Sequence, residues 1–250
     1  MRTNRWISLL GASILTIGLT ACTNSPEEAD SLNNSQTVPQ GKTATDSLAQ
    51  TSKESKGIAN KYNQDPTLYA LVNKELSLDK TYEPDDLVKV DVPTVLENPE
   101  INQLRQVAAA ALKEMFAEAK KADIYLHARS GYRSYQTQAQ LFQNYSAKHG
   151  EEAANRYSAK AGQSEHQTGL AMDVTSESVN FELVESFGET KEGKWLREHA
   201  HEYGFIIRYP KGKEQITGYM YEPWHIRYIG VQLATDVYKS ELTYEEYLNE

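Results

Sequence analysis

Ser164-Glu165-His166-Gln167-Thr168-Gly169-Leu170-Ala171-Met172-Asp173, joined about fifty residues later by Glu222-Pro223-Trp224-His225, decides how this 250-residue chain is read. His166, Asp173 and His225 offer two imidazoles and a carboxylate, a three-ligand set for Zn2+ that leaves one coordination position open. A zinc ion held this way stays Lewis acidic, and its bound water can lose a proton near neutral pH. Glu222 is the candidate base. It precedes His225 by three positions, whereas a regular strand returns to the same face every two. Pro223 cannot continue a central ladder, so the spacing predicts a bulge or bend that brings Glu222 and His225 into one cavity. Upstream, Leu170, Met172 and Val174 alternate with Ala171 and Asp173, the pattern of a half-buried strand with the carboxylate opposite the apolar side chains.

The Ser-x-His-x-x-Gly-x-Ala-x-Asp pattern with its later Glu-Pro-Trp-His resembles the VanY-type zinc carboxypeptidases of bacterial cell-wall metabolism, a group that includes D-alanyl-D-alanine carboxypeptidases and LdcB/DacB-like L,D-carboxypeptidases. The resemblance runs from about Leu68 to about Tyr238 and includes Ser130-Gly131-Tyr132-Arg133-Ser134. It implies a single α+β zinc peptidase domain, a small antiparallel sheet flanked by helices, acting on peptidoglycan stem peptides. It also implies that Arg133, Gln138 and Ser164 bind the substrate terminus, and that D-alanine is the leaving group. On chemical grounds alone, a guanidinium fork at Arg133 suits either a terminal carboxylate or developing oxyanion charge. A pocket closed around a terminal carboxylate favours a carboxypeptidase over an endopeptidase.

Within the group, a tethered lipoprotein with this core most resembles the L,D-type enzymes, which gives the expectation of tetrapeptides cut to tripeptides. Two alternatives stay open: a D,D-carboxypeptidase acting on pentapeptides, and a non-catalytic zinc-containing wall-binding module. Glu222 speaks against the second. Glu165 is a candidate partner for the amine of a diamino acid in the substrate, and Tyr132, Tyr209 and Trp224 are candidate pocket walls. His127, His149, His199 and His201 are read as structural or solvated.

At the other end, Arg2 and Arg5 precede an apolar run from Ile7 to Leu19, the layout of a secretory signal peptide over residues 1–21. The run ends in Leu19-Thr20-Ala21-Cys22, which resembles a bacterial lipobox with Cys22 as the lipidated residue. An uncleaved anchor fits less well, because the run falls short of the ~20 apolar residues needed to span a bilayer. Cys22 is the only cysteine, so no intramolecular disulfide can form. From Thr23 to Lys61 there is no aromatic residue and polar types dominate, so residues 22–61 read as a disordered tether. Together these place the domain, residues 62–250, outside the cytoplasm, lipid-anchored at the membrane and facing the wall, as a monomer. The formal net charge of −9 argues against nucleic acid as a partner.

Helical spacing of Leu104, Val107, Ala108, Ala111, Leu112, Met115, Phe116 and Ala119 predicts a core helix over 102–121. Further helices are expected over 136–148, 151–157 and around Trp195 to Tyr203, the last stopped by Gly204, with another beginning near Val231. Strands are expected at 68–72, 124–128, 205–209 and 225–228.

Overall fold

A two-stranded antiparallel sheet of β1 (Leu87–Lys89) and β2 (Gln103–Arg105) comes first, and helix α1 (Gln106–Lys121) leaves β2 directly. The computed structural model describes Gly57, Lys61, Tyr62 and residues 65–249, so the expected signal peptide, Cys22 and most of the tether lie outside the described residues. After α1 come β3 (His127–Ser130), α2 (Tyr135–His149), α3 (Glu151–Ala154) and β4 (Ala171–Thr175). Then follow α4 (Lys191–His199), β5 (Phe205–Tyr209), α5 (Glu214–Thr217), β6 (Glu222–Tyr228), α6 (Val231–Ser240) and α7 (Tyr244–Leu248). Strands β3 to β6 form a second, wholly antiparallel sheet in the order β3-β4-β6-β5. This is the α+β architecture with small antiparallel sheets that the sequence implies.

The core forms where the apolar stripe of α1 meets one face of that sheet. Leu112, Met115, Phe116 and Ala119 belong to the same buried cluster as Leu170, Met172 and Val174 of the β4 region and Ile226 of β6. β4 is buried at every position rather than half-buried, because its second face, carrying Asp173, is roofed by the site described below. Helix α1 begins at Gln106, four residues later than expected, since Leu104 is spent as a fully buried residue of β2. Val107, counted in the stripe, is exposed.

Three other expectations change. The strand expected at 124–128 starts only at His127, although Ile124 and Leu126 are still buried. The helix expected over 151–157 ends at Ala154. Leu68-Tyr69-Ala70-Leu71-Val72 is no strand: Asp65 caps a 3-10 turn over Pro66–Tyr69, accepting from the backbone N–H of Thr67. The carbonyls of Leu68 and Ala70, which a ladder would have used, accept instead from Arg227 Nη2 at 3.1 and 2.9 Å. The helix around Trp195 does reach Gly204, through α4 and a 3-10 turn over Ala200–Tyr203.

At Pro223 the expected bend is a bulge. Ile207 pairs with Ile226 and Tyr209 with Glu222, so Arg208 alone on β5 faces Pro223, Trp224 and His225 on β6. Two extra residues on one strand kink it and re-aim its side chains.

Under the sheet lies a cluster of buried charge. Arg208 and Arg227 have no exposed side-chain surface, and both pair with the equally buried Glu165. Removing one member of such a cluster leaves an uncompensated charge. Arg227→Met is therefore expected to lower the unfolding free energy by about 3 kcal/mol, the scale for breaking a buried ion pair. Urea denaturation at pH 7 measures it, and an unchanged midpoint would contradict the anchoring of residues 68–70 by this guanidinium.

Candidate metal centre and active site

Asp173 on β4 and His225 on β6 are direct cross-strand partners, so the ladder itself places a carboxylate beside an imidazole. His166 arrives from the 3-10 turn Glu165–Thr168, which ends on Gly169 in the left-handed conformation at φ 66°. A side chain there would also crowd Leu87 Cδ2 at 2.8 Å, so both conformation and space favour glycine at the turn into β4. His166, Asp173 and His225 each present a ligand atom within 4.8 Å of the others, and all three are buried.

Each imidazole has its far nitrogen engaged. His166 Nδ1 lies 2.7 Å from the carbonyl oxygen of Gly131, which fixes Nδ1 as the N–H and leaves the Nε2 lone pair 3.5 Å from Asp173 Oδ2. His225 Nε2 lies 3.3 Å from Glu165 Oε2, while Nδ1 sits 3.1 Å from Asp173 Oδ1. Acceptors behind both rings are the usual second layer of a metal site, where they set tautomer and ring orientation. Two imidazoles and one carboxylate with an open side are the donor set of a hydrolytic zinc, and these residues fit that ion.

The electrostatics say the same. Burial depresses the His166 pKa to about 3, with Arg133 adding to the effect, so this ring is neutral and able to ligate. Burial also opposes charge on His225, yet its hydrogen bonds to Asp173 and Glu165 outweigh this and raise it to about 9. The carboxylates around His225 thus favour positive charge at this spot, which a divalent cation would equally supply. Asp173 is held below the ordinary carboxylate range by His166, His225 and Arg133 despite its burial. Glu222, with its Oε2 3.8 Å from His225 Nδ1, is pushed up by burial to about 8. A carboxylate whose affinity for protons lies near neutrality is matched to general-base work.

These groups open onto one cavity of about 320 Å³. Arg133, Gln138 and Ser164 line it with the metal donors and Glu222, so the residues singled out from the sequence as ligands, base and holders of the substrate terminus come together here. Among the described residues the Arg133 guanidinium gives one hydrogen bond, Nη1 to Gln138 Oε1 at 2.6 Å; its buried Nε has no partner, and Nη2 stands 3.9 Å from Asp173 Oδ2, beyond hydrogen-bond range. Such an under-bonded guanidinium facing a cavity is a receptor for an anion. Gln138 is itself tied down, its Nε2 donating to the Ala159 carbonyl at 2.6 Å, so it braces Arg133.

Two readings are amended. Glu165 cannot serve a substrate amine, because Oε1 accepts from Arg208 Nε and Arg227 Nη1 and Oε2 faces His225. Tyr132 is buried away from the cavity, whereas Tyr209 and Trp224 do line it. Tyr145, Tyr157, Leu183 and Tyr219 line it as well, unforeseen from the sequence. The carbonyl of Gly131 was the other missed contributor. A Cβ on that residue would stand 2.5 Å from the Gln103 carbonyl, a close approach that the Ser-Gly-Tyr-Arg segment could have signalled. His127, His149, His199 and His201 lie outside the cavity, with His127 edge-on to Phe181 and His201 stacked on Tyr238.

A family described as VanY, D-alanyl-D-alanine carboxypeptidase, matches residues 101–231. YodJ of Bacillus subtilis (strain 168), named provisionally as a carboxypeptidase, is 41% identical over 264 residues, covering 98% of this chain and 97% of its own. Among solved structures, the LdcB LD-carboxypeptidase superposes with a TM-score of 0.70 at 51% identity, over 73% of this chain and 86% of that one. The vancomycin-resistance D,D-pentapeptidase VanY, solved as a mutant in complex with Zn(II), gives 0.60 at 32% identity over 73% of this chain and 99% of that one. With over half its length matched by the family and nearly all of it aligned to a relative, the chain belongs to the VanY family of carboxypeptidases and is a peptide hydrolase.

Proposed function

We propose that this enzyme is a zinc-dependent L,D-carboxypeptidase that removes the terminal D-alanine from peptidoglycan stem tetrapeptides to give tripeptides. The observation that carries the carboxypeptidase reading is Arg133. Its under-bonded guanidinium lines the same cavity as three metal donors and a proton-accepting Glu222, so a peptide whose terminal carboxylate is held at Arg133 would lie beside the hydrolytic groups, as a carboxypeptidase requires. The L,D preference is supported by the 51% identity to the LdcB LD-carboxypeptidase, against 32% to the D,D-pentapeptidase. That second relationship, with the family's own description, keeps the pentapeptide reading as the alternative.

His166, Asp173 and His225 would hold the zinc, which when bound supplies Lewis acidity to the scissile carbonyl and acidifies the attacking water. Arg133 binds the terminal carboxylate and, braced by Gln138, fixes the peptide's depth. Ser164, at the cavity wall, contributes to that same terminus. Glu222 takes the proton from the water and returns it to the departing amine, a shuttle that its raised proton affinity suits. Glu165 and the Gly131 carbonyl keep the two imidazoles turned toward the donor site.

The location is proposed on the lipobox-like end of the leader: Cys22 carries a lipid at the outer face of the cell membrane, and residues 22–61 let the domain reach the wall. Tens of ångströms of reach follow from the roughly 5–6 Å × √n scaling of a flexible chain. Cys22→Ala is expected to release the protein from membranes or leave it as an unprocessed precursor, as judged by fractionation.

Ligand and base separate cleanly. His166→Ala or His225→Ala is expected to abolish stoichiometric zinc binding by elemental analysis, while Glu222→Gln retains the ion and loses turnover by about 10² or more. Full zinc occupancy in the histidine variants would remove the ligand assignment, and undiminished turnover in Glu222→Gln would remove the base. For the substrate, the purified enzyme is incubated with defined tetrapeptide and pentapeptide muropeptides and the products are weighed. Tripeptide from the tetrapeptide is the expected product; D-alanine released from pentapeptides with tetrapeptides intact would establish the D,D alternative.

A further inference from the structure

Behind His225 the chain builds a relay of buried charge that the hydrolysis itself does not use. Glu165 Oε1 accepts from Arg208 Nε at 2.7 Å and from Arg227 Nη1 at 2.8 Å, which leaves Oε2 to face His225 Nε2 at 3.3 Å. Arg208 in turn gives Nη1 and Nη2 to the two oxygens of Glu245, at 2.8 and 2.6 Å. Side-chain exposure is 0% for Arg208, Arg227 and Glu165 and 9% for Glu245.

The geometry of a guanidinium explains why the fourth member matters. Its paired Nη groups form the fork that a carboxylate prefers to meet with both oxygens. Glu245 occupies that fork. Glu165 is thereby confined to Nε with a single oxygen and keeps the other for the imidazole. With the fork vacated, Glu165 would be drawn to meet it with both oxygens, and Oε2 would turn away from His225. Arg227 cannot substitute, since its remaining nitrogens are committed to the carbonyls of Leu68, Ala70 and Tyr228. Stability alone gives little reason for such a cluster, because buried ion pairs are often matched by apolar residues of the same volume.

We propose that Glu245, on α7 and beyond residue 231 where the family match ends, is a positioning residue for the metal site: by holding the Arg208 fork it keeps Glu165 on His225 Nε2, so that Nδ1 is presented beside Asp173 and His166. The inference rests on the zinc reading above.

Zinc affinity of the full chain is measured at pH 7 by competition with a chromophoric chelator, with the urea stability of the metal-stripped protein measured in parallel. Glu165→Gln is expected to weaken zinc binding by about 10- to 100-fold, the range for losing a partner of a ligating histidine, and Glu245→Gln by about tenfold. Arg208→Lys, which keeps the charge but gives up the fork, should show the same loss and serves if Glu245→Gln does not fold. Glu246→Gln is the control: on the same helix it gives up the ion pair to Lys213 while glutamine can still complete the capping box, so it should cost a little stability and leave zinc affinity unchanged. Unchanged affinity in Glu245→Gln or Arg208→Lys would overturn the proposal, as would an equal loss in Glu246→Gln. A wild-type chain that bound no zinc would overturn the zinc reading and this inference together, a pattern distinct from loss confined to the variants.

Discussion

Asp173 and His225 face each other across two adjacent central strands, and the place of every other chemical group follows from that register. A slip of one residue between β4 and β6 would turn one strand over against the other, sending Asp173 or His225 into the apolar core and bringing Met172 or Ile226 into the cavity in its place. The slip is prevented from the opposite face. Leu170, Met172, Val174 and Ile226 are each fully buried in the cluster built on α1, so hydrophobic burial of one face dictates the chemistry of the other. His166 is then brought in by a turn closed by the left-handed Gly169, and Glu222 by the bulge in β6.

A site assembled this way concentrates opposing charge where water is scarce. Asp173, Glu222 and Glu165 crowd around His225, while Arg133, Arg208 and Arg227 stand behind or beside them. The low dielectric enlarges each of these interactions, favourable or not. The two histidines show the result. Burial with a guanidinium nearby favours the neutral form of His166, whereas hydrogen bonds to two carboxylates raise the proton affinity of His225.

What could be read from the sequence was what chemistry spaces along the chain. Two histidines, an aspartate and a glutamate of suitable types in suitable order pointed to one cavity, and Pro223 pointed to the bulge that joins them. The stripe of α1 was equally legible, because helical periodicity records which face is buried. Partners distant in sequence were not legible. Leu68-Tyr69-Ala70-Leu71-Val72 has the composition of a strand, yet its carbonyls are taken by Arg227, a side chain more than 150 positions away. Glu165 looked available to a substrate because nothing beside it in sequence announces Arg208 or Arg227. Gly131 acts through its carbonyl, a group every residue has, and only the crowding around its Cα sets it apart.

The two sides of the cavity are tied to the protein very differently. Asp173, His225 and Glu222 sit on the two central strands and His166 on the buried turn that leads into them, whereas Leu141 and Tyr145 reach the cavity from α2, a helix in which only Gln138 is buried. Substitutions along the exposed and half-buried positions of α2 leave the sheet and its register untouched, while almost any change on β4 or β6 disturbs both. The α2 wall is therefore the side of the cavity whose shape can change without moving the donors or the base, a separation of adjustable wall from fixed chemistry within one scaffold.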